Sequence, residues 1–217
     1  FLLRYGFDRA MTMWAYYIHK KYMNIDRLRR GAEIVYRRNP GLKLRTPDMS
    51  RFEEEMQILR DIYNEAWAEN WGFVPITDAE YTYLAAEVKQ IIDPNLIYIL
   101  EKDGEPVAFS FSLPNINLGL RRIRNGRLFP TGLLKLLALD KLGGYHDVRM
   151  LLMGVRKAYQ GRAFDTIPVL ATMEYGKNVY DACEMSWILD SNHVLRNMMP
   201  DLGGVVDKEY AMFEKSL

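Results

Sequence analysis

Met150-Leu-Leu-Met-Gly-Val155, continuing through Arg156-Lys-Ala-Tyr-Gln-Gly-Arg-Ala163 into a helix-competent stretch, decides how the chain is read. The first six residues form an unbroken apolar run of the length of a buried strand. Gly154 near its end predicts a bulge or a close backbone approach. The next eight residues are basic and small. Between a strand end and a helix N-terminus, such a loop presents successive N–H groups and the positive end of the helix dipole, which suits a pyrophosphate. The expected anion cradle is this loop, with Arg156, Lys157, Gln160, Gly161, Arg162 and Ala163. A basic loop with no ligand is the competing reading.

Outward from this segment the pattern is that of an α/β chain. Upstream, Leu42–Thr46 reads as a strand, and Ser50-Arg-Phe-Glu53 as a capping box opening a helix whose Phe52, Met56, Leu59, Ile62, Tyr63, Ala66 and Trp67 share one face. Thr77-Asp-Ala-Glu80 repeats the capping signature before a second helix that runs to about Asp93-Pro94. Leu96–Glu101 and Pro106–Leu113, joined through Asp103-Gly104, form a hairpin. Downstream come a helix over 163–176, a strand over 183–189, a helix over 192–202 and a strand over 209–214. The order describes a mixed central β-sheet flanked by helices on both faces, an α/β (α+β) fold. The leucines of 133–139 suit the core or a homodimer interface, with an acyl-chain wall as the alternative.

Residues 1–40 differ in character. They hold Trp14, Tyr16, Tyr17 and Tyr22, then Arg27, Arg29, Arg30, Arg37 and Arg38, and read as a strand over 10–18 and a helix over 25–36. The arginines suit a solvated helix face better than a phosphate patch. Asn39-Pro-Gly41 is the expected boundary, dividing the chain into 1–40 and 41–217.

Composition narrows the function. Of 217 residues, 49% are hydrophobic and 26% charged, enough for a sizeable core. Lys and Arg total 29 against 28 Asp and Glu, so the overall charge favours neither nucleic acid nor an anionic membrane as partner. The single Cys183 and three histidines supply no zinc set, so no metal is expected, and a reducing cytoplasmic setting is the default. No apolar run approaches the ~20 residues of a membrane span. The first residue is Phe1, which suggests a chain that begins part-way through a longer product.

With these residues in view, the chain resembles the GNAT N-acetyltransferase superfamily, over roughly 42–217. That family's pyrophosphate motif reads Gln/Arg-x-x-Gly-x-Gly/Ala. Gln160 matches its first position, while Ala163 and Asp165 stand at its glycine positions. Asn192 through Gly204 has the spacing of a second family segment, with Asn192 in place and Met199 where the family carries a tyrosine that protonates the departing thiolate. A thioether has no proton to give. Tyr63-Asn-Glu-Ala-Trp67, Asn70-Trp-Gly-Phe-Val-Pro75 and Glu184-Met-Ser-Trp-Ile-Leu189 look like a little-characterised bacterial subgroup. Leu2–Phe7 followed by 14–18 parallels Met199–Gly204 followed by 210–213, which suggests the tail of a preceding lobe before a complete one.

The resemblance implies acetyl-CoA or another acyl-CoA as co-substrate and a small amine, amino acid or peptide as acceptor. It implies a strand N–H near Gly154 and Val155 to polarise the thioester carbonyl, and a contact between Asn192 and the donor; a plain helix cap is the alternative for Asn192. Glu184 is the candidate base, with a structural carboxylate as the alternative. Trp71 and Phe73 are candidates to line the acceptor pocket, or they pack their loop. Cys183 reads as a buried small residue. Two functions follow: an N-acyltransferase, with a long-chain donor as variant, or a non-catalytic module of the same fold that binds a ligand or partner.

Overall fold

The computed structural model describes residues 1–89, 91–121, 123 and 144–216; the leucine run at 133–139 lies outside them. Along the chain the elements are β1 (Asp8–His19), α1 (Asp26–Arg38), β2 (Leu42–Arg45), α2 (Phe52–Trp67), α3 (Asp78–Val88), β3 (Ile97–Lys102), β4 (Glu105–Pro114), a short α4 (Asn117–Leu120), β5 (Asp147–Val155), α5 (Thr166–Val179), β6 (Ala182–Leu189), α6 (His193–Asp201) and β7 (Val205–Glu214). The strands form one sheet in the order β2-β3-β4-β5-β6-β1-β7. Every neighbouring pair is antiparallel except β5–β6, which is parallel.

Local signals account for most of the elements. Asp103 and Gly104 adopt φ of +54° and +87°, the left-handed pair of a tight hairpin turn between β3 and β4. Thr77 and Glu80 form the full capping box at the start of α3. The box expected at Ser50 does not form. Asp48 accepts the Ser50 N–H at 2.9 Å and the Ser50 hydroxyl at 2.7 Å, and a 3-10 turn over Met49–Arg51 leads into α2. The carboxylate two residues earlier captures the donors that the serine was expected to organise. α3 stops at Val88, short of Asp93, which instead caps a separate 3-10 turn, Pro94–Leu96. β7 begins at Val205, earlier than the sequence pattern indicates.

Two cores sandwich the sheet. On one face α1, α5 and α6 bury Ile18, Leu28, Phe164, Ile167, Met185 and Met199. On the other, α2 and α3 cover Ile97, Ile99, Phe109 and Phe111. β1 lies between β6 and β7, so residues 8–19 belong to the same sheet as the strands after Pro40, and the Asn39-Pro-Gly41 turn joins α1 to β2. The two segments that the sequence reads as parallel to one another are direct neighbours, with Met13 opposite Tyr210. Gly203, at φ +84°, permits this arrangement: a Cβ there would stand 1.9 Å from the carbonyl oxygen of Tyr22, where the turn after β1 passes the end of α6. In the arginine run of α1, Arg27 pairs with Asp201 and Arg29 with Glu174, tying the helix to α6 and α5. No helix among the described residues is long and apolar enough to cross a membrane.

Candidate active site

β5 and β6 pair only from Asp147 opposite Ala182 to Met150 opposite Met185. Beyond that point a bulge on each strand drives them apart. On β5, Met150 and Leu152 face consecutive residues of β4, so Leu151 is the extra residue. On β6, Ser186 and Trp187 together oppose Ala15 of β1. Between the diverging strands lies a cleft of about 790 Å³, within the range of small-molecule sites. The expected bulge at Gly154 therefore sits three residues earlier. Gly154 serves packing instead: a Cβ on it would meet Phe109 at 2.9 Å and Ala66 at 3.3 Å, so its absence lets α2 lie close against β5.

The cleft has an apolar wall beside polar groups that include Asn70, Gln160, Asp165 and Asn192. Met150, Met153, Met185 and Met198 line it with Leu151, Val194 and Leu195, and flexible thioethers adapt to chain-like ligands. Trp67 of α2 crosses to the β5 edge, where its indole N–H donates to the Met153 carbonyl at 2.9 Å. At one end stands the loop before α5. Its Gly161 and Ala163 both adopt left-handed backbone, at φ +73° and +58°, a conformation that glycine takes without strain and alanine does not.

The structure distributes the expected site residues unevenly. Gly154, Val155, Gln160, Gly161, Ala163 and Asn192 all line the cleft; Arg156, Lys157, Arg162, Glu184, Trp71 and Phe73 do not. Arg156 donates to Glu65 at 2.7 Å and to the Pro106 carbonyl at 2.8 Å, and the Lys157 ammonium meets Glu69 at 2.7 Å. These two cations tie the loop to α2 and to the turn that follows it, and neither lines the cleft. Arg162 lies over the Tyr159 ring. Gln160 folds back to the Val155 carbonyl at 3.1 Å. Asn192 caps α6 by accepting the Leu195 N–H at 3.1 Å, and it also lines the cleft. Phe73 packs edge-on against Tyr63, and Trp71 is exposed. Trp67 and Asn70 line the cleft in their place.

Glu184 has the surroundings of a structural carboxylate. It is buried, with Arg149 at 3.1 Å, the Ser186 hydroxyl at 2.5 Å and Lys208 at 2.8 Å. Burial alone would raise its pKa. The hydrogen bonds from Lys208 and Ser186 and the charges of Arg149 and Lys208 outweigh burial and hold it below the ordinary glutamate range. An anion so engaged is poorly suited to accept a proton. Met199, at the tyrosine position, is fully buried in the core and outside the cleft lining, whereas its neighbour Met198 reaches it. Burial pushes the Cys183 thiol up to about 12, which suppresses the thiolate.

The cradle fits a pyrophosphate in backbone but not in charge. Asp165, at the second glycine position, sits at the start of α5. Burial pushes its carboxyl above the ordinary range. It makes no side-chain cap hydrogen bond to α5, and among the described residues lining the cleft it is the one carboxylate, placed where a phosphate would lie.

No family model matches the chain. It is 40% identical to Protein YghO of Escherichia coli over 179 residues, 80% of this chain and 46% of that protein. It is 35% identical to the Bacterial ceramide synthase of Caulobacter vibrioides over 222 aligned positions, 98% of this chain and 56% of that protein. The chain spans about half the length of these two relatives. Among solved structures, a GCN5-related N-acetyltransferase from Sphaerobacter thermophilus superposes with a TM-score of 0.60 at 14% identity, covering 98% of this chain and 53% of that one. A tandem GNAT protein from the clavulanic acid biosynthesis pathway does so at 0.55 and 12%, covering 97% and 55%. With its mixed sheet and its single parallel strand pair opening into a cleft, the chain has the fold of the GCN5-related N-acetyltransferase (GNAT) superfamily.

Proposed function

We propose that the chain is an N-acyltransferase domain that moves an acyl group from an acyl-CoA thioester to a primary amine. The observation that carries this reading is the divergence of β5 and β6 after Met150 and Met185, which leaves strand edges facing a cleft that has one apolar wall and ends at a helix N-terminus. The thioester arm would lie between the strands with its phosphates toward residues 160–165. Gly161 and Ala163 supply the backbone there, and Asn192 flanks the arm from α6. The 35% identical relative is named for ceramide synthesis. A ceramide is the amide of a fatty acid with a long-chain amino alcohol, so that name describes N-acylation with aliphatic partners. The methionine-rich lining supports a long-chain donor over acetyl-CoA.

In this reading a neutral amine attacks the thioester carbonyl carbon. The C–N bond forms while a backbone N–H beside Leu151 stabilises the oxyanion, and the C–S bond then breaks. The amine proton ends on the CoA sulfur. Among the described residues lining the cleft, Asp165 is the only carboxylate, and it stands at the phosphate end. The proton is therefore routed through water.

Calorimetric titration with CoA, acetyl-CoA and decanoyl-CoA, paired with release of free thiol in the presence of primary amines, tests the reading. Micromolar binding that is weakened in Gly161→Asp, together with amine-dependent thiol release, is expected. Absence of binding to all three overturns it. Binding without thiol release for any amine selects the second reading, a non-catalytic module of the same fold, which the buried Met199 and the engaged Glu184 favour.

A further inference from the structure

We infer that the indole of Trp187 is the platform against which a substrate's hydrocarbon chain packs in the cleft, an inference that rests on the acyltransferase reading above. Trp187 holds φ +61° inside a strand. For a bulky side chain this backbone conformation is a genuine outlier and is strained. Strain of that kind persists only where the surrounding structure imposes it, and it collects at functional sites.

Folding recovers little of that cost. The indole is 57% exposed, and its ring contact is an edge-on approach to Tyr210 at 6.3 Å. A buried tryptophan repays backbone strain through the large apolar area it removes from water. This one leaves more than half of that area wet. What the bulge does accomplish is directional. By setting Ser186 and Trp187 against the single Ala15, it turns the indole onto the wall of the cleft.

The opposite wall has a matching feature. Leu151, the extra residue of the β5 bulge, is 37% exposed and lines the same cleft, as does Val194 at 83%. Three exposed apolar side chains, from β6, β5 and α6, thus line one cleft. An aliphatic chain laid between them would cover Trp187 and supply the missing burial. That chain could be the acyl group of the donor or the alkyl tail of the amine, and binding measurements separate the two.

The test compares the wild-type chain with Trp187→Gly and Trp187→Phe. Glycine tolerates φ +61° and so preserves the bulge, and unchanged or raised thermal stability verifies this. Dissociation constants are measured for acetyl-CoA, decanoyl-CoA and dodecylamine below their micelle concentrations. The wild type is expected to favour decanoyl-CoA over acetyl-CoA, a preference that falls about tenfold in Trp187→Gly and returns in Trp187→Phe. If that preference survives while dodecylamine binding weakens about tenfold, the chain on the platform is that of the amine. If both survive in Trp187→Gly, the inference is overturned. A wild type that binds no CoA compound overturns the acyltransferase reading, and the dodecylamine arm then decides alone: weakening in Trp187→Gly supports the platform, and no change, or no binding by the wild type, removes it.

Discussion

Arg149 and Glu184 stand opposite one another in the parallel β5–β6 pair, guanidinium to carboxylate at 3.1 Å, one register step before the strands part. With Lys208 reaching across from β7 at 2.8 Å, the pair ties three strands together beside the cleft. Such a carboxylate contributes to the folded state through its partners and is little available to reacting groups.

Glu184→Gln should therefore lower stability more than it alters proton transfer. Leaving Arg149 and the half-exposed Lys208 without their anion is expected to cost about 2 kcal/mol, below the range for fully buried pairs. The pKa of Glu184 is lowered in the fold, so its contribution is fully present above the ordinary glutamate value of 4.5 and is lost as the pH falls through the lowered one. Urea unfolding at pH 7 and at pH 3 should show the gap between wild type and variant closing in acid. A variant of undiminished stability whose turnover collapses would restore Glu184 as the base.

Asp165→Asn carries the opposite pH signature. The pKa of Asp165 is raised in the fold, so wild-type stability falls as the pH rises from the ordinary value of 3.8 through the raised one. The asparagine variant should lack that decline and melt higher at pH 7, because a neutral amide of the same shape carries no charge to bury. Removing a carboxylate beside the phosphate position should also tighten CoA binding about tenfold at neutral pH, as unit charges a few ångströms apart interact by 1 kcal/mol or more even in high dielectric. Equal CoA affinities in the two proteins would place the phosphates elsewhere.

Ala163→Gly should stabilise the chain. Alanine at φ +58° bears a left-handed penalty of about 1 kcal/mol that glycine avoids, partly offset by the greater freedom of glycine in the unfolded chain. A rise of about 1–3 °C in melting temperature is expected for a chain of this size. A fall would mean that the loop gains nothing from relief at this residue.

Gly154→Ala should destabilise by about 1–3 kcal/mol. The new methyl would meet the Phe109 ring at 2.9 Å with Ile62 and Ala66 behind it, pushing α2 off β5. Because the Trp67 indole reaches the Met153 carbonyl across that same contact, its hydrogen bond should weaken too. Equilibrium unfolding measures the first effect, and the tryptophan fluorescence of the folded state reports the second.

What could be read from the residues alone was what local chemistry dictates. The Asp103-Gly104 turn, the Thr77–Glu80 capping box and the placing of a small-residue loop between β5 and α5 each depend on a few consecutive residues, and each is present. Asn192 as a helix cap belongs with them. The remainder depended on strand order and register, which join residues far apart in sequence. Placing β1 between β6 and β7 brings Lys208 within reach of Glu184 and surrounds the candidate base with cations. Arg156 and Lys157 read as phosphate ligands in the sequence, and the fold pairs them with Glu65 of α2 and Glu69 just beyond its end. The methionine wall and the two bulges had no motif, because a cleft is lined by whichever side chains several strands turn toward one space. The sequence by itself determined which elements form and where a ligand loop falls; the tertiary structure alone decided which charges are neutralised and which apolar side chains meet, because both are set by pairing across the sheet.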